Sequence, residues 1–329
     1  MRLVRLLVIA VLLELLFLAA SPTQARVPNR VTVAPPPPPA DLMEFWRGEV
    51  LTLAEVPPEL AWDPQTNAMV FRGAGGRSCW GTVVMPPPGV APRGAVLHIG
   101  EVGASPSPVL NSDGLVHMYV CWNPGEPTAE WPADPSLDRR SHPMRGALLD
   151  LYQAVSALLT VPGLPPGRIG LVGEGVGAAE ALALAALRPS DIAFVLAHQP
   201  WPLGQSAPGP SVGGPMAYFD TLSFAAYVQA PTLVIGGQRD GQAPVWLLKS
   251  LVGALRGPFR LAVVPSLGHQ PLSFCSQAIP WYRDLAGRYL DSGAEIFATE
   301  ELPAEEAFVN SQVDRRPGAA AVGGSDLDL

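Results

Sequence analysis

The sequence has little charge, and it contains no cluster of basic residues. Charged residues make up 15% of its 329 residues, and the formal net charge is -8 at pH 7. Proteins that bind nucleic acids need patches of lysine and arginine to neutralise phosphates. We therefore expect no nucleic-acid partner for this chain.

Cysteine and histidine are also scarce. The chain has three cysteines (Cys79, Cys121 and Cys275) and five histidines, and their spacing matches no metal-binding motif. We expect neither a metal nor another cofactor. At least one of the three thiols must be unpaired, and the sequence leaves two alternatives open. Two cysteines could form a disulfide, as in exported proteins, or all three could be small buried apolar residues.

Long hydrophobic runs are absent except at the N-terminus. Arg2 and Arg5 precede an apolar stretch over residues 6–20, which is short for a membrane span, and a small-x-small motif follows at residues 23–25. This pattern predicts that residues 1–25 form a signal peptide and that the protein is exported, to the periplasm or outside the cell. An uncleaved anchor is the alternative, and no stable membrane span is expected.

The rest of the chain divides into three parts by composition. Residues 26–40 contain a run of prolines and predict a stiff linker, and residues 41–290 have the composition of a globular domain. Residues 291–329 are rich in polar and small residues, which predicts a disordered C-terminal tail.

Within the globular part, short apolar segments alternate with helical patterns. One helix is predicted at residues 144–159, where apolar side chains recur with the helical period. The predicted strands are residues 95–100, 168–173, 191–199, 231–237 and 259–265. Apolar strands separated by helices predict a mostly parallel, doubly wound sheet with helices on both faces. Ligand sites in such sheets lie at the carboxyl ends of the strands.

The predicted strand at residues 168–173 is followed by a glycine-rich turn and an alanine-rich helix. This is the setting in which α/β-hydrolases present a nucleophilic serine in the motif G-x-S-x-G. Here the motif reads Gly173-Glu174-Gly175-Val176-Gly177, so that Gly175 occupies the place of the serine. The turn strains any residue with a side chain, and glycine relieves that strain.

An aspartate and a histidine follow two later strands. Asp240 comes after strand 231–237, and His269 comes after strand 259–265. The order elbow, acid, histidine is that of α/β-hydrolases, in which the acid orients the imidazole and the imidazole moves the serine proton. The sequence therefore predicts an α/β-hydrolase fold with Asp240 and His269 as inherited acid and base and Gly175 as a vacant nucleophile position.

Longer segments resemble one family of hydrolases. The segments are DLMEFWRGEVLTLAEVPPEL (41–60), FRGAGGRSCWGTVVMPP (71–87), DLYQAVSALLTVPGLPPGRIGLVG (150–173) and YFDTLSFAAYVQAPTLVIGGQRDGQAP (218–244), followed by GHQP. In this arrangement residues 41–290 resemble the acetyl xylan esterase / cephalosporin C deacetylase family of carbohydrate esterases. The resemblance implies removal of short acyl groups from sugars and related small molecules, and assembly into homo-oligomers.

The departures from that family concern the residues that carry its chemistry. Its elbow reads G-G-S-Q-G-G, so its serine aligns with Gly175 and its glutamine with Val176. The resemblance implies that the backbone N–H of Val176 is one oxyanion donor. Its H-G-Y-G stretch aligns with Ile99, Gly100 and Glu101, and a carboxylate at Glu101 would oppose the charge that an oxyanion site stabilises.

Two functional hypotheses follow from these residues. In the first, the protein is a pseudoenzyme that binds a small acyl or sugar ligand or acts in an interaction. In the second, Asp240 and His269 act together as a general base in a weak or atypical ester hydrolase. Glu174 and Cys121 are weaker candidates for a substitute nucleophile, because Glu174 should point away from the histidine and Cys121 should be buried.

Overall fold

A computed structural model of the chain describes residues 37–100, 114–121, 138–201, 214–270 and 279–293. All of these belong to one unit, which excludes only residues 1–33. The predicted signal peptide and nearly all of the predicted tail lie outside the described residues. The last helix runs to Ser292, two residues past the predicted end of the domain. In the described ranges, no helix is both long enough and apolar enough to cross a membrane.

The centre of the domain is a nine-stranded sheet with the order β1-β2-β3-β5-β4-β6-β7-β8-β9. The strands are β1 (Ala61–Trp62), β2 (Ala68–Arg72), β3 (Ser78–Val84), β4 (Ala95–Gly100), β5 (Val116–Cys121), β6 (Ile169–Glu174), β7 (Ile192–His198), β8 (Thr232–Gly237) and β9 (Phe259–Val264). The strands from β5 to β9 are parallel to one another, and β1, β2 and β3 form an antiparallel edge joined to β5. All five predicted strands are present, and each end lies within one residue of its predicted position.

Helices cover both faces of the sheet. They are α1 (Leu42–Leu51), α2 (Pro143–Leu158), α3 (Val176–Leu187), α4 (Thr221–Ala225), α5 (Val245–Ala254) and α6 (Ile279–Ser292). Every residue of β6 and β8 is buried, which is expected when both faces of a parallel strand are covered. The structure confirms the predicted mostly parallel, doubly wound sheet.

Two hydrophobic cores lie on opposite faces of the sheet. Leu97 and Ile99 of β4 belong to the larger core, which contains side chains of α1 to α5. Val96 and Val172 point to the other face, where they join the core that includes Leu285 of α6. Side chains of a strand alternate between faces, so residues two apart from these share their face. This alternation decides which polar residues lie on the α6 side of the sheet.

Helix α1 is attached to the segment that precedes β8. Trp46 is fully buried, and its indole N–H donates a hydrogen bond to the carbonyl oxygen of Tyr218 at 2.9 Å. The guanidinium of Arg139 lies 4.7 Å from the ring centre of Phe45 and 4.4 Å from that of Tyr218. Arg139 also donates to Asp41, at 2.8 Å. Two segments far apart in the sequence therefore form one structural unit.

Candidate functional site

Gly175 lies between β6 and α3 in the backbone conformation of a nucleophile elbow. Its φ is 54° and its ψ is -120°, a region that side chains strongly disfavour. Its N–H donates to the carbonyl oxygen of His198 at 2.9 Å, and its own carbonyl accepts from the N–H of Trp201 at 2.9 Å. The turn is thus fixed by hydrogen bonds on both sides, and glycine adopts it without the strain of a side chain.

The two flanking glycines are required by close packing. A Cβ at Gly173 would overlap the backbone of Gly177, and a Cβ at Gly177 would overlap the carbonyl oxygen of Ile99. The first turn of α3 is therefore pressed against the carboxyl ends of β6 and β4. This packing explains the G-x-G-x-G spacing in physical terms, whatever residue stands at position 175.

Asp240 and His269 form a hydrogen-bonded pair. The Nδ1 atom of His269 lies 3.0 Å from Oδ2 of Asp240, as expected for a retained acid and base. The other carboxylate oxygen accepts from the N–H groups of Gln242 at 2.8 Å and Ala243 at 2.9 Å. The side chain of Asp240 is fully buried, whereas that of His269 is 15% exposed. The imidazole is therefore the part of the pair nearer to solvent.

The electrostatics of the pair favour an ionised aspartate. Burial raises the pKa of the Asp240 carboxyl, but hydrogen bonds from His269 and from backbone N–H groups outweigh it, and the pKa is lowered. A carboxylate can only accept, so Nδ1 of His269 carries the proton. In the neutral ring the lone pair then lies on Nε2, which is the nitrogen that takes a proton in serine–histidine–aspartate catalysis.

The loops that carry the acid and the histidine pack closely against each other. A Cβ at Gly237, the last residue of β8, would overlap the carbonyl oxygen of Leu267. The same carbonyl accepts a hydrogen bond from the N–H of Arg239 at 3.0 Å. Backbone contact between these two loops places Asp240 beside His269.

Two of the predicted oxyanion residues, Val176 and Gly100, are placed at the same edge of the sheet. Val176 is the first residue of α3, and the first N–H groups of a helix have no partner within the helix. Gly100 is the last residue of β4, which pairs with β6 so that Ile99 lies opposite Gly173. Glu101 lies outside the described residues.

The structure also describes the positions of the two weaker candidates for a substitute nucleophile, Glu174 and Cys121. Glu174 is buried and shares its face of β6 with Val172, so its side chain lies on the α6 side of the sheet, opposite to α3. Cys121 ends β5, and its side chain is outside the described residues, as is all of Cys275.

Cys79 is a free thiol, and burial, followed by the charge of Asp150, raises its pKa to about 12. A thiol with this pKa is a poor nucleophile at neutral pH. No group of acidic, cysteine and histidine residues within the described ranges could hold a metal ion.

Other polar side chains near the site were not predicted from the sequence. Gln199 follows β7 and contacts the residues on both sides of His269. Glu180 is buried within α3. On the α6 side of the sheet, Nε2 of His98 lies 3.0 Å from Nδ1 of His117, and the His98 ring stacks on Tyr119. An acidic residue in an otherwise apolar helix is a signal that could have identified Glu180, whereas nothing in the local sequence marks Gln199.

The strand order, the elbow and the aspartate–histidine pair together define an α/β-hydrolase fold. Solved structures with this fold include acetyl xylan esterase 1 from Thermoanaerobacterium sp. JW/SL YS485, with a TM-score of 0.62 and 18% sequence identity. That match covers 77% of this chain and 94% of the esterase. An acetyl xylan esterase from Paenibacillus sp. R4 has a TM-score of 0.60 and 20% identity, over 77% of this chain and 97% of that chain. These likenesses confirm the fold and its predicted resemblance to acetyl xylan esterases.

Sequence comparison adds a partial relative. An uncharacterized protein of Mycobacterium tuberculosis (strain ATCC 25618 / H37Rv) is 34% identical over 137 residues. The match covers 38% of this chain and 46% of that protein, so the chain spans about half the length of the relative it matches. No protein family model matches the chain.

Proposed function

We propose that this chain is an exported protein of α/β-hydrolase fold that binds a small acyl or sugar ligand without forming an acyl-enzyme. The observation that carries the proposal is Gly175, which holds the elbow conformation but offers no hydroxyl. Serine catalysis requires a nucleophilic oxygen at this position. The hydrogen-bonded Asp240–His269 pair places an imidazole at the same edge of the sheet, where we propose that it contacts a polar ligand.

Acetylated sugars are the first ligands to test. The two solved structures described above are named acetyl xylan esterases, and they share the fold of this chain over most of their length. Small-molecule sites in proteins generally hold a ligand through a few well-placed polar groups in otherwise apolar surroundings. An ester carbonyl near Val176 and a hydroxyl near His269 are the contacts that we propose.

A first experiment tests whether a nucleophilic serine exists. The full chain should not react with a fluorophosphonate probe, because such probes label activated serines. The Gly175→Ser variant is the positive control, and adding His269→Ala to it should abolish labelling. Stoichiometric labelling of the unmodified protein near the site would refute the assignment of Gly175 as a vacant position.

A second experiment tests binding. In a calorimetric titration, acetylated xylo-oligosaccharides should bind and the deacetylated compounds should bind more weakly. The His269→Ala variant should lose about 10-fold in affinity, the effect of one hydrogen bond. Trp80→Ala, at a 70% exposed position of β3, should leave the affinity unchanged. If neither sugar binds, the sugar-ligand proposal fails and an interaction role takes its place.

A second candidate function is ester hydrolysis with Asp240 and His269 as general base. The observation that favours it is the intact hydrogen bond between them, with an ionised aspartate. General-base catalysis typically accelerates a reaction by about 10²–10⁴-fold. Hydrolysis of 4-nitrophenyl acetate should then fall by about 100-fold or more in both His269→Ala and Asp240→Asn. Equal rates in the variants and the unmodified protein would exclude this function.

A further inference from the structure

We infer that Gln199 is a positioning residue, which fixes the location of His269 relative to the elbow. Gln199 directly follows β7, and it is 1% exposed. A buried glutamine needs hydrogen-bond partners for its amide, since an unpartnered amide is costly in the interior. The partners that Gln199 uses belong to the loop that carries His269.

The amide of Gln199 binds the loop on both sides of the histidine. Its Nε2 donates to the carbonyl oxygen of Gly268, and its Oε1 accepts from the N–H of Gln270 at 2.9 Å. The preceding residue adds a third contact, because Nε2 of His198 lies 3.3 Å from the carbonyl oxygen of Gln270. The backbone around His269 is therefore held by side chains from the end of β7.

The same few residues also hold the elbow. The carbonyl of His198 accepts from the N–H of Gly175, and the N–H of Trp201 donates to the carbonyl of Gly175, both at 2.9 Å. We call residues 198–201 the bridging segment, because it bonds to position 175 through its backbone and to the His269 loop through side chains. The separation between elbow and imidazole is therefore set by this segment.

The backbone of Gln199 supports this role. Its φ is 49°, a value uncommon for any residue with a side chain. Among the described residues the other non-glycine case is Asn67, which is half-buried in the connection between β1 and β2. The N–H of Gln199 donates to Ile235 of β8 at 2.7 Å, which anchors the strained residue in the sheet. Strain of this kind persists where the surrounding structure holds it, commonly at functional sites.

The inference rests on the proposed function only for the role of His269 in that function. The position of the His269 imidazole does not depend on it and can be measured directly. In the full chain labelled with ¹⁵N-histidine, NMR reports the ring nitrogens of His269 and the Nδ1–H proton shared with Asp240. His269→Asn assigns these signals by their disappearance. Gln199→Leu should shift the ring-nitrogen signals and remove the shared-proton signal, because the loop loses both amide contacts.

Two further variants separate positioning from stability. Gln153→Leu is the matched control, because Gln153 in α2 is also a buried glutamine. Its Nε2 donates to the carbonyl oxygen of Val56 at 2.8 Å, away from the His269 loop. It should leave the His269 signals unchanged. Gln199→Glu keeps an acceptor for the N–H of Gln270 but loses the donor to Gly268, so it should shift the His269 ring-nitrogen signals by a smaller amount. This variant replaces Gln199→Leu in the experiment if Gln199→Leu does not fold. His269 signals identical to those of the unmodified protein in the folded Gln199 variants would overturn the inference.

A kinetic arm uses the Gly175→Ser background. Misplacing a catalytic group by about 1 Å can cost about 10²-fold in rate. Gln199→Leu should lower kcat for 4-nitrophenyl acetate by about 10- to 100-fold with little change in KM, while Gln153→Leu should not. If Gly175→Ser is inactive, the inherited-site argument is contradicted, and the NMR result alone decides the role of Gln199.

Discussion

Gly175 has the backbone conformation of a nucleophile elbow, so a serine placed there should meet the histidine of the Asp240–His269 pair. We expect Gly175→Ser to fold and to gain measurable but low activity on 4-nitrophenyl acetate. The positive φ should lower its stability by about 1–3 kcal/mol, which thermal unfolding will show. Replacing Glu101 by tyrosine in this variant should raise the rate further, since a carboxylate opposes a developing oxyanion.

The control for this gain is removal of the imidazole. His269→Ala in the double variant should return hydrolysis to the background rate. A double variant that matches the unmodified protein, or one that is indifferent to loss of His269, would contradict the idea of an inherited site.

A second residue with an unusual environment is Glu180 in α3. Neither carboxyl oxygen of Glu180 has a hydrogen-bond partner among the described residues, and the side chain lines a cavity of about 10 Å³ with Phe219 and Phe224. That space is about enough for one water molecule. Burial, and secondarily the charge of Asp150, raises the pKa of Glu180 well above its ordinary value of 4.5. The folded protein therefore keeps this carboxyl protonated at pH values where the unfolded chain has lost the proton.

This difference predicts a pH-dependent stability. The native state binds the extra proton, so stability is complete below pH 4.5 and falls as the pH rises toward the raised pKa of Glu180. The loss is up to about 1.4 kcal/mol per pH unit. Glu180→Gln removes this term, so its melting temperature relative to the unmodified protein should rise between pH 5 and pH 8.

A paired glutamate provides the control. Glu49 is also buried, but it accepts hydrogen bonds from Arg145, at 2.6 Å from Nε. Glu49→Gln should destabilise the protein, because it weakens the ion pair with Arg145. If the difference in melting temperature between Glu180→Gln and the unmodified protein does not change between pH 5 and pH 8, Glu180 is ionised in the folded state.

At the scale of elements, the elbow depends on how closely α3 approaches β4. A Cβ at Gly177 would overlap the carbonyl oxygen of Ile99, which is backbone and cannot rotate away. Gly177→Ala should therefore destabilise the protein by about 1–3 kcal/mol or more in denaturant unfolding. Gly48 of α1 has nothing within 4 Å of its Cβ position, so Gly48→Ala should stabilise by about 0.5–1 kcal/mol. Equal effects of the two substitutions would show that the helix has room to move.

At the scale of the whole molecule, α1 connects the N-terminal end of the domain to the segment before β8. Trp46 packs edge-on against Phe45 and Phe219, with ring centres 5.3 Å and 5.7 Å apart, and it donates to Tyr218. Trp46→Ala should cost about 3–5 kcal/mol. A domain of this size should then melt lower by roughly 6–20 °C, as measured by circular dichroism.

Trp80 gives the comparison at an exposed position. It is 70% exposed on the antiparallel edge, so Trp80→Ala should change the free energy of unfolding by no more than about 0.5 kcal/mol. A large loss at Trp80 would show that this face of the sheet is covered in solution, for example by a second copy of the chain.

The sequence by itself determined the fold class and pointed to the residues of the candidate site. Apolar strands and helical patterns have short periods, so they can be read locally, and parallel strands bring their carboxyl ends to one edge. By that rule the sequence alone predicts that Gly175, Asp240 and His269 lie at the same edge of the sheet. The G-x-S-x-G pattern also includes Gly173 and Gly177, and the structure supplies the reason for them, which is the close approach of backbone atoms at both positions.

Only the tertiary structure decided how the site is held together. Trp46 and Tyr218 are 172 residues apart, and Gln199 and Gln270 are 71 apart, so no local pattern records either contact. The burial of Glu180 depends on α2 and on the segment before α4, which close over α3. Contacts between distant residues are created by the packing of elements, and a glutamine or glutamate looks the same in sequence whether it is solvated or buried. For this reason the places of the elbow, the aspartate and the histidine could be predicted from the sequence, whereas the residues that hold them in position could not.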